Sequence, residues 1–166
     1  MLKKLHHVAY RCRDAAETTH FYVDLLGLKL LAVLEQDFIP SLQREEPHAH
    51  IFFEMEDGSC VAFFDILGDD GPYLLTSDDW AQHLALEADA ERAGKIIDRL
   101  VAADVPVLGP VDHGFCTSYY FRDPNGHRLE IAIPVENHGL TDHERDAAAS
   151  IRRWQARKAA AEARAE

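Results

Sequence analysis

The sequence predicts an α+β fold built from one βαβββ unit used twice and followed by a helical tail. Two observations carry this. The order of element types from residue 5 to residue 66 recurs from residue 82 to residue 133, with His83 standing 76 residues after His7. Asp123, Pro124, Asn125 and Gly126 are turn formers between two apolar runs, which marks a β-hairpin at the close of the second unit.

Composition bounds the rest. With 166 residues and 47% hydrophobic residues in short periodic segments, the chain supports one compact domain or two small fused modules. No apolar run approaches the ~20 residues of a membrane span, and Met1 to His7 has neither an apolar signal core nor a small-residue cleavage site. A soluble, cytoplasmic protein is expected. Cys12, Cys60 and Cys116 are odd in number and widely spaced, as suits reduced core thiols. A formal charge of -12 disfavours nucleic acid as a partner, because phosphate binding needs a basic surface.

In order, Leu2 to Tyr10 reads as a strand. Asp14 with Glu17 makes a capping box, Phe21, Leu25 and Leu26 repeat at helical spacing, and Gly27 closes that helix. Leu28 to Leu34 is a second strand, and the polar stretch Gln36 to Pro47 reads as a loop. His48 to Met55 and Cys60 to Ile66 form a hairpin around Glu56-Asp57-Gly58-Ser59. Leu67 to Asp79 is a linker by composition. The pattern then restarts: strand Gln82 to Glu87, a helix capped by Asp89 with the stripe Ala93, Ile96, Ile97, Leu100 and Val101, strand Val105 to Val111, and the hairpin strands Phe115 to Arg122 and His127 to Ile133. In the last strand Leu129, Ile131 and Ile133 share one face, which puts Glu130 on the other with Arg128 and Ala132. A carboxylate there needs water or a compensating charge.

The tail, residues 135 to 166, carries six acidic and six basic side chains and is neutral. Thr141 with Glu144 is a further capping box ahead of an Ala/Arg-rich helix, whose large apolar residues Ile151 and Trp154 suggest one anchored turn with a solvated or fraying end; a loose helix is the plainer reading and a dimer contact the sharper one.

The openings Leu-His-His-Val-Ala-Tyr and Gln-His-Leu-Ala-Leu-Glu, with the closing Asp-Pro-Asn-Gly-His-Arg-Leu-Glu, resemble the vicinal oxygen chelate superfamily over residues 3 to 134. The resemblance implies two modules, 1–67 and 80–134, forming an incomplete barrel around a metal cleft, with residues 135–166 as an extension. It implies His7, His83 and Glu130 as ligands of a divalent metal. His6 faces the opposite side of its strand and is the lesser candidate. Two imidazoles and one carboxylate with open positions suit Fe(II) first; Zn, Mn, Co or Ni occupy related sites. The position related to Glu130 in the first unit is Ala62, which counts against a fourth ligand unless Asp65 or Glu54 reaches the metal through a bulge.

His113, Tyr120, Asp123-Pro124, Gly126 and Glu130 are spaced like the signature of type I extradiol ring-cleaving dioxygenases, with Tyr119 departing from it. By that resemblance His113 and Tyr120 are catalytic residues beside the metal. Ser59 to Ile66 lacks the acid-base histidine of that pattern; His48 and His50 are the nearest substitutes. On residue type alone Tyr120 also fits a packing aromatic, His113 a solvated turn, and Arg122 and Arg128 either exposed strand charges or contacts to an anionic substrate.

The expectation is a metal-dependent oxidoreductase like a one-domain extradiol dioxygenase, acting with dioxygen on an aromatic diol or other vicinal-oxygen compound under the loop Asp37 to Pro47. A glyoxalase-like lyase or isomerase is the first alternative and a metal-free drug-binding protein the second. A homodimer is expected.

Overall fold

The computed structural model describes residues 3–73, 81–136 and 147–162. Two four-stranded sheets each come from one unit. In the first, β1 (His7–Cys12), β2 (Lys29–Ile39), β3 (Arg44–Glu54) and β4 (Cys60–Ile66) lie in the order β1-β4-β3-β2. In the second, β5 (Leu84–Glu87), β6 (Leu108–Asp112), β7 (Cys116–Arg122) and β8 (Arg128–Pro134) lie in the order β5-β8-β7-β6. The duplication read from the sequence is therefore a duplication of topology, with the first strand of each unit parallel to its last.

Register makes the equivalence residue-specific. Ala9 pairs with Ala62 in the first sheet and Ala85 with Glu130 in the second. Since Ala85 is the counterpart of Ala9, Glu130 is the counterpart of Ala62, as the sequence suggests.

The helices form as their caps dictate. Asp14 accepts from Glu17 N at 2.7 Å to start α1 (Ala15–Thr19), which widens into a π-helical segment, His20–Leu25. Gly27 at φ +81 ends it, a left-handed turn that a Cβ would strain, with Gly27 N donating to Val23 O and Leu28 N to Tyr22 O. Asp89 accepts from Arg92 N at 2.7 Å to start α2 (Ala90–Ala102), which buries Ala93, Ile96 and Leu100. These helices and the inward faces of both sheets share one core: Val61, Phe63, Ile51 and Phe53 from the first sheet, Leu86, Leu129, Ile131 and Phe121 from the second, and Tyr22 between them, its ring stacked on Phe53 at 5.2 Å. By strand alternation the faces that carry His7 and Glu130 point away from this core.

The expected loop Gln36 to Pro47 is mostly strand. β2 and β3 continue to Ile39 and from Arg44, pairing Gln36 with His48 and Phe38 with Glu45, so only the tip near residues 40–43 turns. A register shift between Gln36 and Phe38 lies opposite Pro47, where a residue without an N–H does no harm to the ladder. A long hairpin thus replaces the covering loop.

The tail helix α3 runs over Ala147–Glu162, and Ile151 and Trp154 are 64% and 56% exposed, so the expected anchored turn is not made among the described residues. The capping pair Thr141 and Glu144 and linker positions 74–79 lie outside the described residues. Among the described residues no helix is long and apolar enough to cross a membrane.

Candidate metal centre

Glu130 lies in the middle of β8 and is only 6% exposed. A buried carboxylate survives only with compensation, and three partners supply it. Ser118, fully buried on β7, donates its hydroxyl to Oε1 at 2.5 Å. His83 brings Nε2 to 2.9 Å from Oε2. Tyr120 stands directly across the strand pair in register with Glu130.

His83 precedes β5 rather than lying within it, and its Nδ1 is 3.2 Å from the Ala81 carbonyl oxygen. A carbonyl only accepts, so Nδ1 carries the proton and Nε2 presents a lone pair toward Glu130. Two acceptors facing each other at this distance must share a cation, either a proton or a metal ion. A ring nitrogen fixed by its partner's backbone hydrogen bond is also how metal-binding imidazoles are oriented. The donor set therefore fits a divalent metal.

The Tyr120 hydroxyl lies 2.8 Å from His113 Nε2, and the Tyr120 ring is edge-on to His83 at 6.0 Å. Burial raises the phenol above its ordinary value; the Glu130 charge adds to this, and the neighbouring Ser118 and the Arg128 charge oppose it. Tyr120 thus keeps its proton through the neutral range.

The open face of the first sheet has a different character. His7 Nδ1 is 2.7 Å from His6 Nδ1, and its ring is edge-on to Phe52 at 5.6 Å and to His50 at 6.0 Å. His50 stacks on Phe64 at 3.8 Å, and its buried Nε2 has no hydrogen-bond partner among the described residues. Burial first, and then the neighbouring His7 and His48, hold His50 below the ordinary histidine range. His48 instead donates Nδ1 to the Glu46 carbonyl at 2.6 Å.

Of the residues singled out in the sequence, His83, Glu130, Tyr120 and His113 come together on the second sheet, while His7 stands on the first. Among the described residues of one chain, no three His, Cys, Asp or Glu side chains converge in a way that holds a metal. The alternative ligands are otherwise occupied: Asp65 accepts from Ala15 N at 2.7 Å on the core side, and Glu54 pairs with Lys29 at 2.8 Å. Ser118 and the Ala81 carbonyl escaped the sequence reading. Ser118 shares the alternation of Tyr120 two residues on, which would have placed it on the same face, but its contact with Glu130 depends on the strand register.

A doubled βαβββ fold with an imidazole set against a buried carboxylate on an open sheet face defines a class of small-molecule cleft proteins assembled from paired modules. The chain belongs to the glyoxalase/bleomycin resistance protein/dioxygenase superfamily, whose family model matches residues 4–131. It is 27% identical over 133 residues to a probable chloroplastic lactoylglutathione lyase of Arabidopsis thaliana, covering 78% of this chain and 35% of that protein, so it spans about a third of that relative's length. Among solved structures it resembles a glyoxylase/bleomycin resistance protein/dioxygenase domain from Frankia sp. EAN1pec (TM-score 0.66, 18% identity, 81% of this chain and 100% of that one). It also resembles a variant of the fosfomycin resistance protein FosX of Listeria monocytogenes, solved with Mn(II) (TM-score 0.59, 18% identity, 82% and 96%). At these identities the structural matches establish the fold.

Proposed function

We propose that this protein is a metal-dependent enzyme whose ion is held by His83 and Glu130 of one chain and His7 of a second copy, and that it opens a catechol-like ring with dioxygen. The observation that carries the metal is the facing of His83 Nε2 and Glu130 Oε2 at 2.9 Å with the other imidazole nitrogen committed to Ala81. The second copy follows from the open faces. His7 and Glu130 lie on sheet faces turned from the core, and β2 leaves Leu30, Leu31, Val33, Leu34 and Phe38 between 41% and 48% exposed. Apolar side chains exposed on both faces of this edge strand would be covered in a homodimer that sets the first sheet of one copy against the second sheet of the other.

The metal, Fe(II) by its donor set, would supply chelation of two adjacent substrate oxygens and the redox chemistry of dioxygen. Three protein ligands leave positions for both, and Ala62 at the place related to Glu130 adds no fourth. Tyr120 holds a proton beside the carboxylate and can donate it to a substrate oxygen. His113, 2.8 Å away, takes up or returns that proton and orients the phenol. Phe52, Phe64 and His50 form an aromatic wall that would keep water from a ring-shaped substrate.

A second reading is a glyoxalase-like lyase or isomerase, favoured by the similarity to the Arabidopsis relative. Anaerobic purification, metal analysis and mixing with catechols under air separate the two. Bound iron, oxygen uptake and a yellow ring-fission product are expected. Zn, Ni or Co with oxygen-independent turnover favours the lyase, and ligand binding that ignores chelators overturns both in favour of a metal-free binding protein.

A further inference from the structure

Cys116 alternates along β7 with Ser118 and Tyr120, so the three share the open face of the second sheet. Cys12 is buried within the hydrophobic core; Cys116 is buried too, but outside that core. Its surroundings are polar instead. The sulfur lies 3.4 Å from Ser118 Oγ, and the Ser118 hydroxyl lies 2.5 Å from Glu130 Oε1. Glu130 Oε2 in turn faces His83 Nε2 at 2.9 Å.

The strand register explains how Ser118 reaches a carboxylate that is not its direct partner. Across the pair, Tyr120 stands opposite Glu130, Ser118 opposite Ala132 and Cys116 opposite Pro134. Ala132 puts only a methyl group in front of Ser118, so the hydroxyl can lean diagonally to Glu130, a reach that neighbouring strands allow. Cys116, two residues earlier, is the next side chain in the row.

The direction of each hydrogen bond follows from counting protons. A carboxylate only accepts and a hydroxyl has one proton, so Ser118 directs its proton to Glu130 and offers lone pairs elsewhere. The sulfur contact is then the thiol S–H donating to Ser118 Oγ. A donor behind a hydroxyl polarises the bond that the hydroxyl itself makes, so the thiol tightens the hold on Oε1.

We propose that Cys116 is a positioning residue of the metal centre: its thiol proton fixes the Ser118 hydroxyl, which aims Glu130 Oε2 at the ion. The inference rests on the metal reading above and assigns it a side chain that never touches the ion.

The test is a double-mutant cycle on metal affinity. Fe(II) is titrated without oxygen against a chromogenic chelator in wild type, Cys116→Ala, Ser118→Ala and the double variant. Cys116→Ala is expected to weaken binding about threefold to fivefold, as suits a weak S–H donor acting through another group. In the Ser118→Ala background it is expected to lose nothing more, because its effect passes through the hydroxyl. A thiol that only fills space would lower the melting temperature of both backgrounds alike and leave metal affinity unchanged. A second measurement needs no metal: the S–H stretch in the infrared difference between wild type and Cys116→Ala is expected below the frequency of a free thiol. Unchanged affinity in Cys116→Ala, losses that add in the double variant, or an S–H band at the free-thiol frequency overturns the proposal. Wild type that holds no Fe(II) removes the metal centre and the role of Cys116 with it; Fe(II) held by wild type, with any of those three contrary outcomes, removes only the role of Cys116.

Discussion

The Tyr22 hydroxyl donates to Asp123 Oδ2 at 3.1 Å, tying the helical segment of the first unit to the hairpin turn of the second across 101 residues. Both groups are buried, and the ring packs against Phe53 and Phe63. Tyr22→Phe keeps the ring and removes the donor, leaving a buried carboxylate one partner short. A loss of about 1–3 kcal/mol is expected, read as a lower urea midpoint with an unchanged slope.

Asp123 also accepts from the N–H groups of Asn125 at 2.9 Å and His127 at 2.8 Å. Burial pushes its carboxyl above the usual range, opposed by His127, Asn125 and Tyr22. A raised folded value means the folded state holds its proton more tightly than the unfolded one. The stability from that proton is full below the unfolded value of 3.8 and is lost as pH rises through the folded value. Asp123→Asn keeps a side-chain acceptor and does not titrate. Its stability relative to wild type is therefore expected to improve between pH 4 and pH 7, measured by urea unfolding of both proteins across that range.

The turn that holds Asp123 shows how much of the chain was readable. Asp-Pro-Asn-Gly between alternating apolar runs fixes a hairpin by its residue types, and Gly126 indeed sits at φ +89. The caps Asp14 and Asp89 and the recurrence of His7 and His83 likewise need only local spacing. The arm from Gln36 to Pro47 was misread because strand ends extended into solvent can be charged on both faces and tolerate a proline at a bulge; pairing with the partner strand, not composition, makes them strand. The site divides in the same way. Alternation placed Glu130 and Arg128 on the face opposite Leu129, Ile131 and Ile133, but which sheet meets which is set by packing between units, and so the separation of His7 from Glu130 within one chain was invisible.

Ser118 contributes to Glu130 what spacing alone did not announce. Its hydroxyl holds Oε1 and so aims Oε2 at His83. Ser118→Ala is expected to weaken metal affinity about tenfold to a hundredfold, the usual effect of removing a group that orients a ligand. Glu130→Gln, which removes the ligand charge itself, is expected to weaken it further. Competition with a chromogenic chelator measures both, and metal affinity unchanged in both variants removes Glu130 from the centre.

Tyr120→Phe leaves the ring that Arg128 covers but removes the proton shared with His113. If that proton moves in the reaction, turnover falls about a hundredfold to ten-thousandfold with little change in KM. A packing role alone would instead lower the melting temperature and spare kcat, so the two measurements together decide between them.

The separation of His7 from the His83–Glu130 pair gives the sharpest test of the assembly. If each metal is shared between two chains, His7→Ala and His83→Ala are both inactive alone. In a mixed dimer, however, one cleft receives both lesions and the other receives none. Co-refolding equal amounts makes about half the dimers mixed, and each mixed dimer has one intact cleft of two. Activity should then recover to about a quarter of wild type. Should one chain close the site by itself, every cleft in the mixture carries a lesion and nothing is recovered. The readout needs no knowledge of the natural substrate, since stoichiometric metal binding recovers in the same proportion as turnover.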